Sequence, residues 1–379
     1  MNHDFIQQAR QAGRLLRLSA GVICVVLLAS CATKPAVQEE RMAWPGPPLQ
    51  PRIQFVRSLF SEEDVGQDET FQEKVINILA GQKPAANRIA EPMGLAVSDD
   101  GSRLYVADYA QLAVFVFDFA HKKFIKIGKD APLGRPIGVA LDAQENLYVV
   151  EQEKKAVSVF DRSGGFIRSF TDPSIEKPGG IAIDRARGRI YVADTSHTKS
   201  EHHTVMIFDL NGKLVGTLGK GKGSAEGQFL FPTYLSVDKQ GNVYVTDTLN
   251  SRIQKFDPDG KFVRRIGERG TSFGMFDKPK GSAVDSFGNL YVVDSGWSNV
   301  QLFNPLGQIL IFFGGRGINP GLLQNPAPIT IDAKNRIYVG DYLNHRIEIY
   351  DLVNTKAEDS FIDPPPKADS KPAANPVTK

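Results

Sequence analysis

Cysteine is nearly absent from this chain of 379 residues: there are two, Cys24 and Cys31, and none beyond position 31. No disulfide can therefore hold the rest together, and a chain of this length has enough apolar surface to bury without one. An excess of charge is missing as well. Of 45 basic and 43 acidic residues, Arg10, Arg14, Arg17 and Asp4 fall in the first thirty, which leaves 42 of each sign beyond them. Nucleic-acid readers carry a basic footprint, so a nucleic acid is not expected as a partner. Gly221, Gly223 and Gly227 invite comparison with a phosphate loop, but no Gly-x-x-x-x-Gly-Lys-Ser/Thr match is present there. No helical run of about ten residues separates the extended segments, which excludes an alternating strand and helix fold. No Ser-His-Asp or Cys-His arrangement is legible from spacing, so no residue is singled out as catalytic.

What the chain does have is a phrase repeated six times: Tyr105-Val-Ala-Asp108, Tyr148-Val-Val-Glu151, Tyr191-Val-Ala-Asp194, Tyr244-Val-Thr-Asp247, Tyr291-Val-Val-Asp294 and Tyr338-Val-Gly-Asp341. Neighbouring tyrosines are 43, 43, 53, 47 and 47 positions apart, a period that marks a repeat array. Each unit holds four short runs rich in Val, Ile, Tyr and Phe, broken by Gly, Asn, Asp and Pro, as four antiparallel strands and their turns require. The first two runs are apolar at nearly every position, so both faces must be covered. Stacking the units around an axis covers them. Glycine-rich stretches ending in proline (Gly219 to Pro232, Gly267 to Pro279, Gly314 to Pro326) recur between units and read as turns.

Pro92-Met-Gly, Pro136-Ile-Gly, Pro178-Gly-Gly and Pro279-Lys-Gly open first strands, and Asn250-Ser-Arg-Ile253 and Asn344-His-Arg-Ile347 open third strands. In these elements the unit resembles the NHL repeat, over about residues 91 to 351. The resemblance implies an all-β, six-bladed β-propeller. Tyr234 and Pro328 depart from it, standing where other units have glycine. The sixth unit lacks a fourth strand, and residues 52–60, Arg-Ile-Gln-Phe-Val-Arg-Ser-Leu-Phe, are expected to supply it by pairing with the last blade, burying Phe55 and Val56. Phe71, Val75 and Leu79 fall on one face of an expected short helix over 68–81, with blades from 91 and the propeller spanning 52–353.

Residues 1–30 read as a signal peptide: three arginines precede an apolar run from Leu18 to Leu28 that is too short to span a membrane. Leu28-Ala-Ser-Cys31 resembles the lipobox of bacterial lipoproteins. That resemblance implies lipidation of Cys31, membrane attachment through the lipid (palmitate among the acyl chains) and, with Ala32 following, a periplasm-facing outer-membrane protein. Residues 31–51 are then a proline-rich tether and 354–379 a disordered tail.

Candidate functional residues are those that interrupt the repeat. Met93, Ile137, Tyr234 and Lys280 lie in turns following the inner-strand prolines near a channel mouth, and Tyr109, Trp297 and Tyr342 in loops of the same face. Aromatics and a lysine around a concavity fit an envelope protein, a peptide or a glycan. The third unit has an enlarged loop holding His197, His202 and His203, a possible zinc or calcium site. Binding or scaffolding by a monomer, without a cofactor, is the leading expectation. The alternative is a metal-dependent lyase or lactonase, as the resemblance to enzymatic propellers implies. The six repeated acids are expected to cap turns or pair with Arg252 and Arg346 rather than to hold cations.

Overall fold

The computed structural model describes residues 42–66, 87–129, 131–196 and 199–360. Six antiparallel sheets account for them, five of four strands and one of five. Blade one runs Pro92–Val97, Arg103–Asp108, Ala113–Asp118 and Lys123–Ile127. Blades two to five repeat that order with inner strands Pro136–Leu141, Pro178–Asp184, Pro232–Val237 and Pro279–Val284. Each inner strand touches the inner strand of the next blade, and that of blade six, Pro326–Ile331, touches Pro92–Val97. The ring is closed.

The apolar runs have the cover they require. One hydrophobic cluster fills each of the six seams between neighbouring blades. Tyr105, Tyr191, Tyr291 and Tyr338 are buried there, each worth roughly 1.5–3 kcal/mol of apolar burial. In four blades the phrase tyrosine donates its hydroxyl to an aspartate six residues earlier: Tyr148 to Asp142, Tyr244 to Asp238, Tyr291 to Asp285 and Tyr338 to Asp332. Those aspartates close the first turn by accepting backbone amides. The tyrosine thus joins seam packing to turn geometry. Inner-strand glycines answer to close approach: a Cβ on Gly94 would lie 2.8 Å from the carbonyl of Ile137, and one on Gly138 2.7 Å from that of Gly179.

Closure comes from the N-terminal side, as the sequence leads one to expect. Ile53–Leu59 pairs antiparallel with Arg346–Leu352, from Ile53 opposite Leu352 to Leu59 opposite Ile347. The residues it buries differ from the expectation. Ile53 and Leu59 are fully buried, whereas Phe55 and Val56 are half-buried, because a bulge between Phe55 and Arg57 breaks the alternation. Outside this strand Ala43–Trp44 adds a fifth, pairing with Gln54 and Ile53. This stretch was expected to be tether; the Trp44 indole instead packs 5.8 Å from the Tyr350 ring and 6.0 Å from that of Phe313. Beyond the last strand, Asn354 donates to the Pro51 carbonyl and Asp359 pairs with Arg52. Residues 354–360, expected to begin a disordered tail, are instead held against the closing strand by these contacts and end in a short 3-10 turn, Ala357–Ser360; the segments expected as signal, lipidation site Cys31, helix over 68–81 and the rest of the tail lie outside the described residues.

A candidate binding cup on one face of the ring

The repeated acid marks the face. All six (Asp108, Glu151, Asp194, Asp247, Asp294, Asp341) are buried and accept backbone amides from the residues leading into their own inner strand. Asp108 takes those of Ala90 and Glu91, Asp194 those of Glu176 and Lys177, and Asp294 those of Asp277 and Lys278. Glu151, Asp247 and Asp341 take those of Gly134, Leu230 and Gln324. In blade four Arg252 adds an ion pair to Asp247 at 2.8 Å and clamps the carbonyls of Ser224, Ala225 and Gln228. Arg346 does the same for Ile318, Asn319 and Leu322 in blade six. These carboxylates are spent on architecture.

What they position is a nest of rings. The residue before each inner-strand proline (Glu91, Arg135, Lys177, Phe231, Lys278, Asn325) forms the rim. The residue after the proline (Met93, Ile137, Gly179, Thr233, Lys280, Ala327) forms the floor. The residue following the repeated acid is tied to the rim: Tyr109, Gln152, Thr195, Thr248 and Ser295 donate backbone amides to Glu91, Arg135, Lys177, Phe231 and Lys278 at 2.9–3.2 Å. The rings enclose a cavity of about 460 Å³ to which every floor residue contributes, within the range of small-ligand sites.

Tyr234, one position past the floor ring, determines the cavity's depth. Blade four stands opposite blade one, and the Tyr234 hydroxyl crosses the axis to donate to the Met93 carbonyl at 3.2 Å. Below it the channel narrows to a cavity of about 40 Å³ lined by Tyr234, Ile137 and Gly180, room for a few waters. A wider mouth of about 550 Å³ opens on the far side, lined by residues such as Arg185 and Asp332. The upper cavity is therefore a blind cup. Burial raises the Tyr234 phenol's pKa well above its ordinary value, so the hydroxyl keeps its proton and remains a donor.

Two lysines line the cup, Lys177 and Lys280, with one carboxylate, Glu91. Burial, reinforced by repulsion from Lys278, holds the Lys280 ammonium's pKa below the ordinary lysine value. Burial and the neighbouring Glu91 carboxylate push the Tyr342 phenol's pKa up. The Arg135 guanidinium lies 5.4 Å over the Tyr109 ring and donates to its hydroxyl, which stiffens the aromatic wall.

Of the residues singled out in the sequence, Met93, Tyr109, Ile137, Tyr234, Lys280 and Tyr342 meet in this one cavity. Trp297 does not line it; it sits half-exposed in the blade-five loop, its amide donating to Asp294. The histidines part company. His203 is fully buried and its Nδ1 accepts the Phe231 amide at 3.0 Å, with its ring 5.1 Å from that of Phe231. It supports the cup wall from behind, and burial lowers its pKa. His202 is exposed, and His197 lies outside the described residues. Among the described residues no three His, Cys, Asp or Glu side chains are grouped to hold a metal ion. Sequence reasoning missed Lys177, Glu91, Gln152, Phe231 and Asn325, although their fixed offsets from the proline and the acid would have found them.

Six blades around one axis with a cup at one mouth define a six-bladed β-propeller. A model of the NHL repeat matches residues 229–256, which cover the first three strands of blade four. Blade four thus matches the NHL repeat. The protein brain tumor of Drosophila melanogaster is 26% identical over 153 residues, 39% of this chain and 14% of that protein. NHL repeat-containing protein 3 of Mus musculus is 30% identical over 150 residues, 36% of this chain and 43% of that protein. The chain thus spans less than half the length of these curated relatives. A structural genomics protein of unknown function from Bacteroides thetaiotaomicron superposes with a TM-score of 0.57 at 18% identity, covering 70% of each chain. That likeness concerns the fold.

Proposed function

We propose that this protein is a monomeric binding module that receives a peptide, protein or glycan of the cell envelope in the cup. In this reading it is held at the outer membrane, facing the periplasm, by lipid on Cys31. The observation that carries the binding role is the blind cup: three residue rings converge on one concavity, and Tyr234 closes its floor. Its aromatic wall and the few polar groups of its floor, Thr233 and Lys280, suit recognition, and the repeated acids are already bonded to backbone amides. A lyase or lactonase role has no specific geometry in its favour among the described residues.

The test is crosslinking in intact cells from a photoreactive residue placed at Tyr109, followed by mass spectrometry of the adducts. A defined envelope partner, lost when Tyr342 becomes alanine, supports the reading. A crosslinking pattern no different from one obtained with the probe at exposed Lys213 on the outer edge of blade three overturns it.

A further inference from the structure

The cup's charges are not evenly spread. Lys177 belongs to blade three and Lys280 to blade five, flanking blade four, while Glu91 stands opposite in blade one. The lysine side of the cup contains no carboxylate among its described lining residues. Lys280 sits half-buried in the floor ring beside its closed end, and the one carboxylate among the described lining residues, Glu91, belongs to blade one rather than to the blades that carry the lysines. A desolvated ammonium without a counterion is costly, and an anion brought to it in a sheltered site gains a charge-assisted hydrogen bond. A neutral glycan would leave that group unanswered.

The depth of the cup restricts what can deliver the anion. The Tyr234 side chain lies across the axis, bonded to the Met93 carbonyl of the opposite blade at 3.2 Å, so a strand cannot thread the ring at that level, and only an end can reach the floor. A cavity of about 460 Å³ walled by Tyr109, Tyr342 and Phe231 takes a terminal residue with an apolar side chain.

Building on the binding role proposed above, we infer that the cup recognises a carboxylate, that of a polypeptide C-terminus, with Lys280 and Lys177 as its binding residues and the aromatic wall holding the last side chain. Glu91, on the far side, repels a misplaced carboxylate and orients the chain.

The full-length protein in detergent is dialysed to equilibrium against two tripeptide libraries, one with free carboxylates and one amidated, and against 3-phenylpropionate and its amide. Bound species are read by mass spectrometry. The expected result is retention of a subset of free acids about tenfold or more over their amides, a preference abolished by Lys280→Met and kept by Lys280→Arg, with melting temperatures confirming that both variants fold. Equal retention of acids and amides, lost in Tyr109→Ala, overturns carboxylate recognition and leaves the cup as a binding site. Retention of 3-phenylpropionate as strong as that of any tripeptide keeps the carboxylate and overturns the chain end as its source. No retained species in any arm overturns this inference; crosslinking from Tyr109 still decides the broader reading on its own.

Discussion

Tyr234 and Met93 meet across the propeller axis, the phenol of blade four donating to the main-chain carbonyl of blade one at 3.2 Å. The two residues are 141 positions apart, and the bond ties opposite sides of the ring, blade four to blade one. Tyr234→Phe removes the donor and keeps the ring in place. It should cost about 1 kcal/mol, the net worth of a hydrogen bond, or roughly 2–4 °C in melting temperature. Tyr234→Gly restores the residue type that most other blades carry here and should open the neck. A probe too large for the passage of about 40 Å³ should then cross from cup to far mouth, and a crystal structure of the variant with the neck still shut would refute the plug.

Closure of the ring is tested at the buried ends of its added strand rather than at its middle. Leu59→Ala and Ile53→Ala each remove a fully buried side chain, and each should cost about 2–5 kcal/mol in denaturant unfolding. Val56→Ala, at the bulge, should cost less than either. Equal losses at all three positions would mean that the bulge does not decide which residues carry the seam.

The seam also contains a titrating group. Glu348 is fully buried, accepts from Ser58 of the closing strand and from the Gly321 amide, and contacts Arg346 at 2.6 Å. Burial outweighs the arginine and raises its pKa to about 7. A folded-state value above the unfolded one means that the native protein holds a proton which the unfolded chain has released. Stability therefore falls as pH rises from the unfolded carboxylate value through about 7, by at most about 3 kcal/mol. Blades four and five place Gln254 and Gln301 here, each accepting a loop glycine amide and donating to a loop carbonyl. Glu348→Gln should accordingly flatten this part of the pH profile and stabilise the protein above neutrality. An unchanged slope between pH 5 and 8 in chemical unfolding would assign it to another group.

His203 has the opposite sign. Its pKa is lowered by burial, so the unfolded chain binds a proton that the native state refuses, and stability is lost as pH falls below the ordinary histidine value of about 6.5. His203→Ala should remove that acid-side loss and, at neutral pH, leave the Phe231 amide without its acceptor, a cost of about 1–3 kcal/mol. Phe231 lines the cup, so ligand retention should weaken with the wall. Full retention beside a lower melting temperature would confine His203 to the fold.

The fold was legible because each blade repeats the same physical solution. The period, the doubly apolar strands and the turn residues agree, and agreement across levels specifies a structure. Ring closure was legible for the same reason, since Ile53–Leu59 has the look of a fourth strand. Its bulge was not, because the extra residue reflects pairing with Arg346–Leu352 rather than any local preference. In the cup, Tyr234 and Lys280 stood out as departures from the repeat. Lys177, Gln152 and Phe231 did not: each occupies an ordinary turn position, and only the ring brings them to one cavity. His203 pointed toward metal chemistry by its neighbours in sequence, whereas its partner, Phe231, lies in the next blade.

Cys31 carries the remaining prediction, about where the propeller sits. A cysteine preceded by Leu-Ala-Ser and an apolar run is a lipid acceptor in our proposal, and two or more acyl chains give stable anchoring where one gives only marginal, reversible binding. Cys31→Ser should therefore shift the protein from the membrane fraction to the soluble fraction or leave an unprocessed precursor visible by mass. In the soluble product the propeller should melt as in the parent, because closure begins at Ala43–Trp44 and Ile53–Leu59, beyond the cysteine. Washing membranes with high salt separates lipid anchoring from electrostatic attachment, which salt screens. A Cys31→Ser protein still held in salt-washed membranes would show that attachment comes from elsewhere in the chain, and the cup would then have to be placed at the membrane by a partner rather than by its own N-terminus.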